Sequence, residues 1–201
     1  MAVIDRASKT IHCKIAYFGP GMAGKTACLH AIHQNMPADR RSSLRSAVTV
    51  MARTILFHCD PPDDPPVGGF KVRFYLVAVP GAILYERTRV AILRGADGVV
   101  FIADSQPVRM WENMRSLQEL VRRLYSFGQS PLATPVVLQY TKRDLPGAVA
   151  VEKMDEYLNP LGWPRFESAL GWHKHAYEPS QTVGVLGAFR AVRERVIARL
   201  G

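Results

Sequence analysis

Gly19-Pro20-Gly21-Met22-Ala23-Gly24-Lys25-Thr26 is the stretch on which the reading of this chain turns. It satisfies the pattern G-x-x-x-x-G-K-[ST] directly after an apolar, strand-like run, Ile11 to Phe18. Glycines at these positions bring backbone N–H groups against phosphate oxygens, Lys25 reaches the terminal phosphates, and the Thr26 hydroxyl can coordinate Mg²⁺. The apolar spacing of Ala27, Leu29, Ala31 and Ile32 predicts a helix from Lys25 to Asn35 whose positive N-terminal end adds to the same anion site. Strand, loop and helix in this order are the context a phosphate cradle needs. Its expected contacts are Gly19, Gly21, Met22, Ala23, Gly24, Lys25, Thr26 and Ala27.

Composition sets the bounds. The 201 residues are 48% hydrophobic and 21% charged, which suits one α/β domain over the whole chain with a full core. No apolar run approaches the roughly 20 residues of a membrane span, and Met1-Ala2-Val3-Ile4-Asp5 has no signal-peptide shape, so a cytoplasmic protein is expected. Cys13, Cys28 and Cys59 are odd in number and scattered, which reads as reduced core thiols rather than a disulfide framework. His173 and His175 lack a third ligand nearby and read as a solvated loop. The net charge of +9 raises the question of nucleic acid, yet the arginines are spread over separate segments without interleaved aromatics. Solvated helix faces explain most of them.

Strands and helices alternate along the chain. After the helix, Met36 to Met51 is expected as a mobile loop; Thr54–Cys59 and Val72–Val79 read as an antiparallel hairpin around the proline-rich tip Pro61 to Pro66. A helix near Tyr85–Arg94, a strand Gly98–Ala103, a helix Val108–Ser126 and a strand Val136–Tyr140 follow. A helix Val151–Leu158, a short strand Arg165–Ser168 and a terminal helix Val185–Leu200 close the pattern. The expectation is an α/β fold with a six-stranded, mostly parallel sheet, one antiparallel strand, and helices on both faces.

A second nucleotide signature, Thr141-Lys142-Arg143-Asp144, follows the apolar strand and resembles the N/T-K-x-D box of Ras-like GTPases. There the Asp carboxylate accepts from the guanine N1–H and exocyclic amine, and the Lys stem lies along the base; Asp144 and Lys142 take those places here. Thr141 replaces the commoner Asn, keeping a hydroxyl to brace the phosphate loop but losing the two-ended amide. Glu167-Ser168-Ala169 resembles the last base-contacting loop, with the Ala169 backbone N–H facing guanine O6.

Over nearly its whole length the chain resembles the MglA-type bacterial polarity GTPases. The matching stretches include Cys13-Lys14-Ile15, Tyr17 to Thr26, Arg53-Thr54, Gly69-Phe70-Lys71, Val79-Pro80-Gly81, Leu93 to Gly98, Ala103-Asp104-Ser105 and Lys142 to Pro146. The resemblance implies a P-loop Ras-like switch that binds GTP or GDP with Mg²⁺. It further implies a small cytoplasmic protein, monomeric or partner-bound, that marks a cell pole, recruits polarity and motility effectors and answers to a roadblock-fold regulator of the MglB type. It also assigns Arg53 as a cis arginine finger and Thr54 as the residue closing over Mg²⁺ and the γ-phosphate, with Thr26 and Thr54 as the metal ligands.

Departures from the family pattern bear on turnover. Ala78 stands where Ras-like proteins have an Asp touching Mg²⁺ through water, and Ala82 stands where the family has a water-orienting Gln. Gly81 keeps a backbone N–H for the γ-phosphate, so binding can outlast hydrolysis. The stretch Arg45 to Ala52 is less acidic than its family counterpart, and 171–180, with Trp172 and Tyr177, has no counterpart. The reading is a hydrolysis-impaired, GTP-locked switch. A partner-stimulated GTPase and a nucleotide-free adaptor stay open beside it.

Overall fold

The computed structural model describes residues 2–48, 53–81, 86–169 and 179–201. Two strands are mostly apolar and buried throughout: β6, Gly98–Asp104, which ends in Asp104, and β7, Val136–Thr141, which carries Gln139 and Thr141. Unbroken burial of this kind is the mark of parallel strands covered by helices on both faces. In β5, Lys71–Ala78, burial alternates instead. Val72, Phe74 and Leu76 face the core, and Arg73, Tyr75 and Val77 are half-buried on the other face.

The sheet is eight-stranded, ordered β3-β4-β5-β2-β6-β7-β8, where β2 is Thr10–Phe18, β3 Arg45–Val48, β4 Arg53–Cys59 and β8 Arg165–Glu167; β1, Val3–Asp5, pairs with β2. From β5 through β8 the pairing is parallel. Strand β4 runs antiparallel to β5, the hairpin expected around the proline-rich tip. The mostly parallel α/β sheet is as expected, but the count of six strands is corrected by β1 and β3, both antiparallel additions. Strand β3 also corrects the loop expected over Met36 to Met51. A 3₁₀ turn forms at Ala38–Arg40, Arg41 bridges to Cys59, and Arg45–Val48 pairs with Leu56–Arg53. The polar, basic segment gives no alternating signal. It becomes a strand because the open edge of β4 offers unpaired backbone groups and because His33, on α1 (Lys25–Asn35), approaches the Ser42 carbonyl at 3.0 Å.

On one face, Cys28, Leu29 and Ile32 of α1 and Val185, Phe189 and Val192 of α5 (Pro179–Ile197) pack on Cys13, Ile15, Phe74 and Leu76. On the other, Leu93 of α2 (Glu86–Arg94), Leu117, Leu120 and Leu124 of α3 (Met110–Ser126), and Met154 and Leu158 of α4 (Val151–Leu158) cover Phe18, Phe101 and Leu138. Helix α5 begins at Pro179 rather than Val185, and Gly184 seats it: a Cβ there would stand 1.7 Å from the Glu167 carbonyl oxygen. All three cysteines are buried and free. No described helix is long and apolar enough to cross a membrane.

The layering places the site. Chain leaving β2 turns toward β4 and β5, and chain leaving β5 crosses back to β6, so the carboxyl end of β2 lies where connections part to opposite sides. In open parallel sheets that is where ligands bind.

Candidate nucleotide-binding site

The loop after β2 can be built only with glycine at its first position. Gly19 has φ 146° and a Cβ on it would fall 2.2 Å from the Ile102 carbonyl oxygen of β6. Met22 (φ 62°) and Gly24 (φ 97°) then curl the chain in the left-handed region, and α1 starts at Lys25 with no side-chain cap and no acidic residue in its first turn. Free N–H groups in a concave turn and at a helix N-terminus make an anion site. Ala23 is fully buried, Gly21 and Ala27 are half-buried, and the side chains of Met22 and Thr26 are exposed.

Inside this turn the Lys25 ammonium donates to the carbonyls of Gly19 at 2.9 Å and Pro20 at 2.5 Å. Burial, reinforced by the guanidiniums of Arg89 and Arg109, pushes its pKa down to about 7. Gly81 lies against the same loop: a Cβ on it would come within 2.5 Å of both Cα and N of Gly21. Two arginines hold that contact. Arg89 of α2 donates to the Pro80 and Gly81 carbonyls at 3.2 and 2.8 Å and pairs with Glu119 of α3, while Arg109 donates to the Gly21 carbonyl at 2.7 Å and to Glu112 at 2.9 Å. Ala78 ends β5 opposite Tyr17, buried, and its methyl side chain offers no acceptor atom.

The second signature meets the first through one hydroxyl. Thr141 Oγ1, at the end of β7, lies 2.8 Å from the Ala23 carbonyl oxygen and 3.0 Å from that of Ala103; its single proton serves one acceptor at a time or is shared. Lys142 takes φ 60°, and its ammonium is 2.5 Å from Oδ2 of the fully buried Asp104. Asn113 fixes that carboxylate's backbone, accepting from the Asp104 N–H at 3.0 Å and donating to its carbonyl at 2.8 Å. Asp144 is exposed, and among the described residues its carboxylate makes no hydrogen bond or ion pair. The Arg143 N–H donates to the Ser168 carbonyl and the Ser168 N–H to that of Tyr140, which brings 141–144 beside 167–169. Ser168 is buried with no partner for its hydroxyl, and Ala169 is half-buried. An uncommitted buried hydroxyl beside a free carboxylate suits a ligand that carries several polar edges, as a purine base does.

Thr54 is buried in β4 opposite Ala47, and Arg53 opens that strand opposite Val48. The side chain of Arg53, Ala82, and the stretch holding Trp172, His173, His175 and Tyr177 lie outside the described residues. No group of three or more His, Cys, Asp or Glu that could hold a metal occurs among the described residues. The hydroxyls of Thr26 and Thr54 are hard oxygen donors that fit Mg²⁺ if phosphate oxygens complete its shell. Asp104 and Asn113 were not among the sequence-predicted site residues. The available signal was a carboxylate closing an otherwise apolar strand, since an acid so placed needs a cation or a hydrogen-bonding cradle.

A glycine-built phosphate loop at the carboxyl end of the central parallel strand, braced by the T-K-x-D segment, defines the GTP-binding, Ras-like class of α/β proteins. No protein-family model matches the chain. Among curated proteins it is 41% identical to the mutual gliding-motility protein MglA of Myxococcus xanthus (strain DK1622) over 200 residues, 100% of this chain and 98% of that protein. The chain belongs to the MglA-type family of small GTPases.

Proposed function

We propose that this protein is a guanine-nucleotide switch of cell polarity and gliding motility that holds GTP and turns it over very slowly. The observation that carries the reading is the Thr141 hydroxyl on the Ala23 carbonyl, which ties the 19–26 loop to the 141–144 segment and so supports one shared nucleotide site. Backbone N–H groups of Gly21 to Ala27 would bind the phosphates, Lys25 would exchange its two carbonyls for phosphate oxygens, and Asp144 with Ser168 and Ala169 would read guanine. Thr26 and Thr54 would hold Mg²⁺, which when bound neutralises charge on the β- and γ-phosphates. Slow turnover rests on residue type. Ala78 has no acceptor for a metal-bound water and Ala82 has no group to orient the attacking one, which costs on the order of 10²-fold or more. Arg53 would remain as the cis arginine opposing charge on the transferred group.

The partners proposed follow family membership: a roadblock-fold regulator of the MglB type and effectors at a cell pole. The test is the nucleotide released on denaturing freshly purified protein, followed by timed GTP hydrolysis with Mg²⁺ and with such a regulator. Bound GTP with almost no turnover is expected. Fast turnover with the regulator would replace the locked switch by a partner-stimulated GTPase, and a protein that takes up no GTP would replace it by an adaptor.

A further inference from the structure

Between α2 and α3 lies a cavity of about 550 Å³. Among the described residues, the nucleotide-site loops contribute Pro20, Gly21 and Gly81 to its lining, and none of Lys25, Thr141, Asp144 and Ser168 faces it. Its size falls within the roughly 300–1,000 Å³ of small-molecule sites.

The charges in its walls do not cancel. Arg89, Arg109, Arg115, Arg122 and Arg123 line it against Glu86, Glu112 and Glu119. Each glutamate already has an arginine: Glu119 has Arg89, Glu86 has Arg123 and Glu112 has Arg109. Arg115 and Arg122 have no carboxylate partner among the described residues, and Arg122 reaches only the Gln118 carbonyl of its own helix, at 3.3 Å. They stand about two turns apart on α3, so both guanidiniums project from one side of the helix. Ser116 supplies an independent sign. It lines the cavity, is only 6% exposed, and its Oγ makes no hydrogen bond. A helical serine commonly returns its hydroxyl to a carbonyl one turn back; this one keeps donor and acceptor uncommitted in a buried wall.

We propose that this cavity binds a small organic anion, its carboxylate or phosphate group held by Arg115 and Arg122 and a polar substituent on Ser116 Oγ. Guanidiniums bind either acid through paired N–H donors, so the shared chemistry is a planar or tetrahedral oxyanion on a compact organic body.

The test titrates the full chain, saturated with GDP, with phenyl phosphate, with phthalate and with a glutamate-rich peptide, followed by calorimetry. The same titrations on Lys25→Ala make the result independent of the phosphate loop. At least one small anion is expected to bind both proteins, about tenfold or more weaker to Arg115→Gln/Arg122→Gln and severalfold weaker to Ser116→Ala. The tighter of the two probes identifies the acid. The variants are checked to keep the wild-type melting temperature, and Arg115→Lys/Arg122→Lys is expected to recover part of the binding. Equal affinity for wild type and the double Gln variant would overturn the site, since a chain of net charge +9 attracts anions unspecifically. Binding of neither small anion would overturn it as well. Variant-dependent binding of the peptide alone would reassign the wall to an acidic segment of a protein partner.

Discussion

Lys25 sits with its ammonium on two backbone carbonyls and its pKa held near 7 by burial and by Arg89 and Arg109. Its ordinary value is 10.5, so between about pH 7 and 10.5 the unfolded chain binds a proton that the native, nucleotide-free protein has lost. The sign follows: this residue makes the free protein more stable as pH rises through 7, and adds no slope well below it. Phosphate favours the ammonium, so GDP binding at pH 8 is expected to take up close to one proton, read by calorimetry in buffers of different ionisation enthalpy. Lys25→Ala is expected to lose at least about 10²-fold in affinity for fluorescent GTP; unchanged affinity would remove the phosphate-loop assignment. Ala82→Gln restores a group able to orient water and should raise GTP hydrolysis on the order of 10-fold or more. Phosphate release at the wild-type rate with saturating Mg²⁺ would shift the limiting defect to Ala78 or Arg53. Lys25, Asp144 and Ser168 could be named as candidates from sequence because each lies in a short motif. Asp104 was not, because its partner Lys142 lies 38 positions away and only strand pairing sets them together.

Helices α2 and α3 are joined to the Pro80–Gly81 turn, which presses on Gly21, through Arg89, which is 3% exposed and bonds both Glu119 and the carbonyls before and at Gly81. Removing one partner of a buried charge costs more than the pair contributes, because the remaining charge stays desolvated. Glu119→Ala is therefore expected to lower stability by about 2–3 kcal/mol in urea denaturation. A loss under about 0.5 kcal/mol would mean that the carbonyls alone satisfy Arg89. At this scale the sequence was a good guide to elements whose apolar spacing is local. The stripe Leu117, Leu120 and Leu124 marks α3, and the mostly apolar runs of β6 and β7 mark buried strands. It was a poor guide to β3, where Arg45–Val48 becomes a strand only because β4 lies beside it with an open edge.

Across the whole molecule the basic excess is largely tied down where it meets the core. Arg73 pairs with Asp60, and Arg193 of α5 pairs with Asp64 of the hairpin tip at 2.9 Å with both side chains under a tenth exposed. Such ties between distant segments favour one cooperative unfolding transition. GDP at 100 times its Kd should stabilise the fold by about 2.7 kcal/mol and raise the melting temperature by about 5–10 °C. Two separated transitions, or no shift with GDP, would contradict the proposal of a single nucleotide-binding domain. The sequence by itself determined the glycine-built turn between β2 and α1, the alternation of strands and helices and the two-faced burial of the central strands, because these rest on backbone dihedrals and on periods of two and 3.6 residues within short windows. Tertiary structure alone decided that the Thr141 hydroxyl would meet a carbonyl 118 positions earlier, and that Gly81 would press on Gly21. It also decided that the arginines and glutamates of α2 and α3 would face one another across a cavity. Those contacts depend on strand order and helix placement, which many distant burial terms set together and no local pattern encodes.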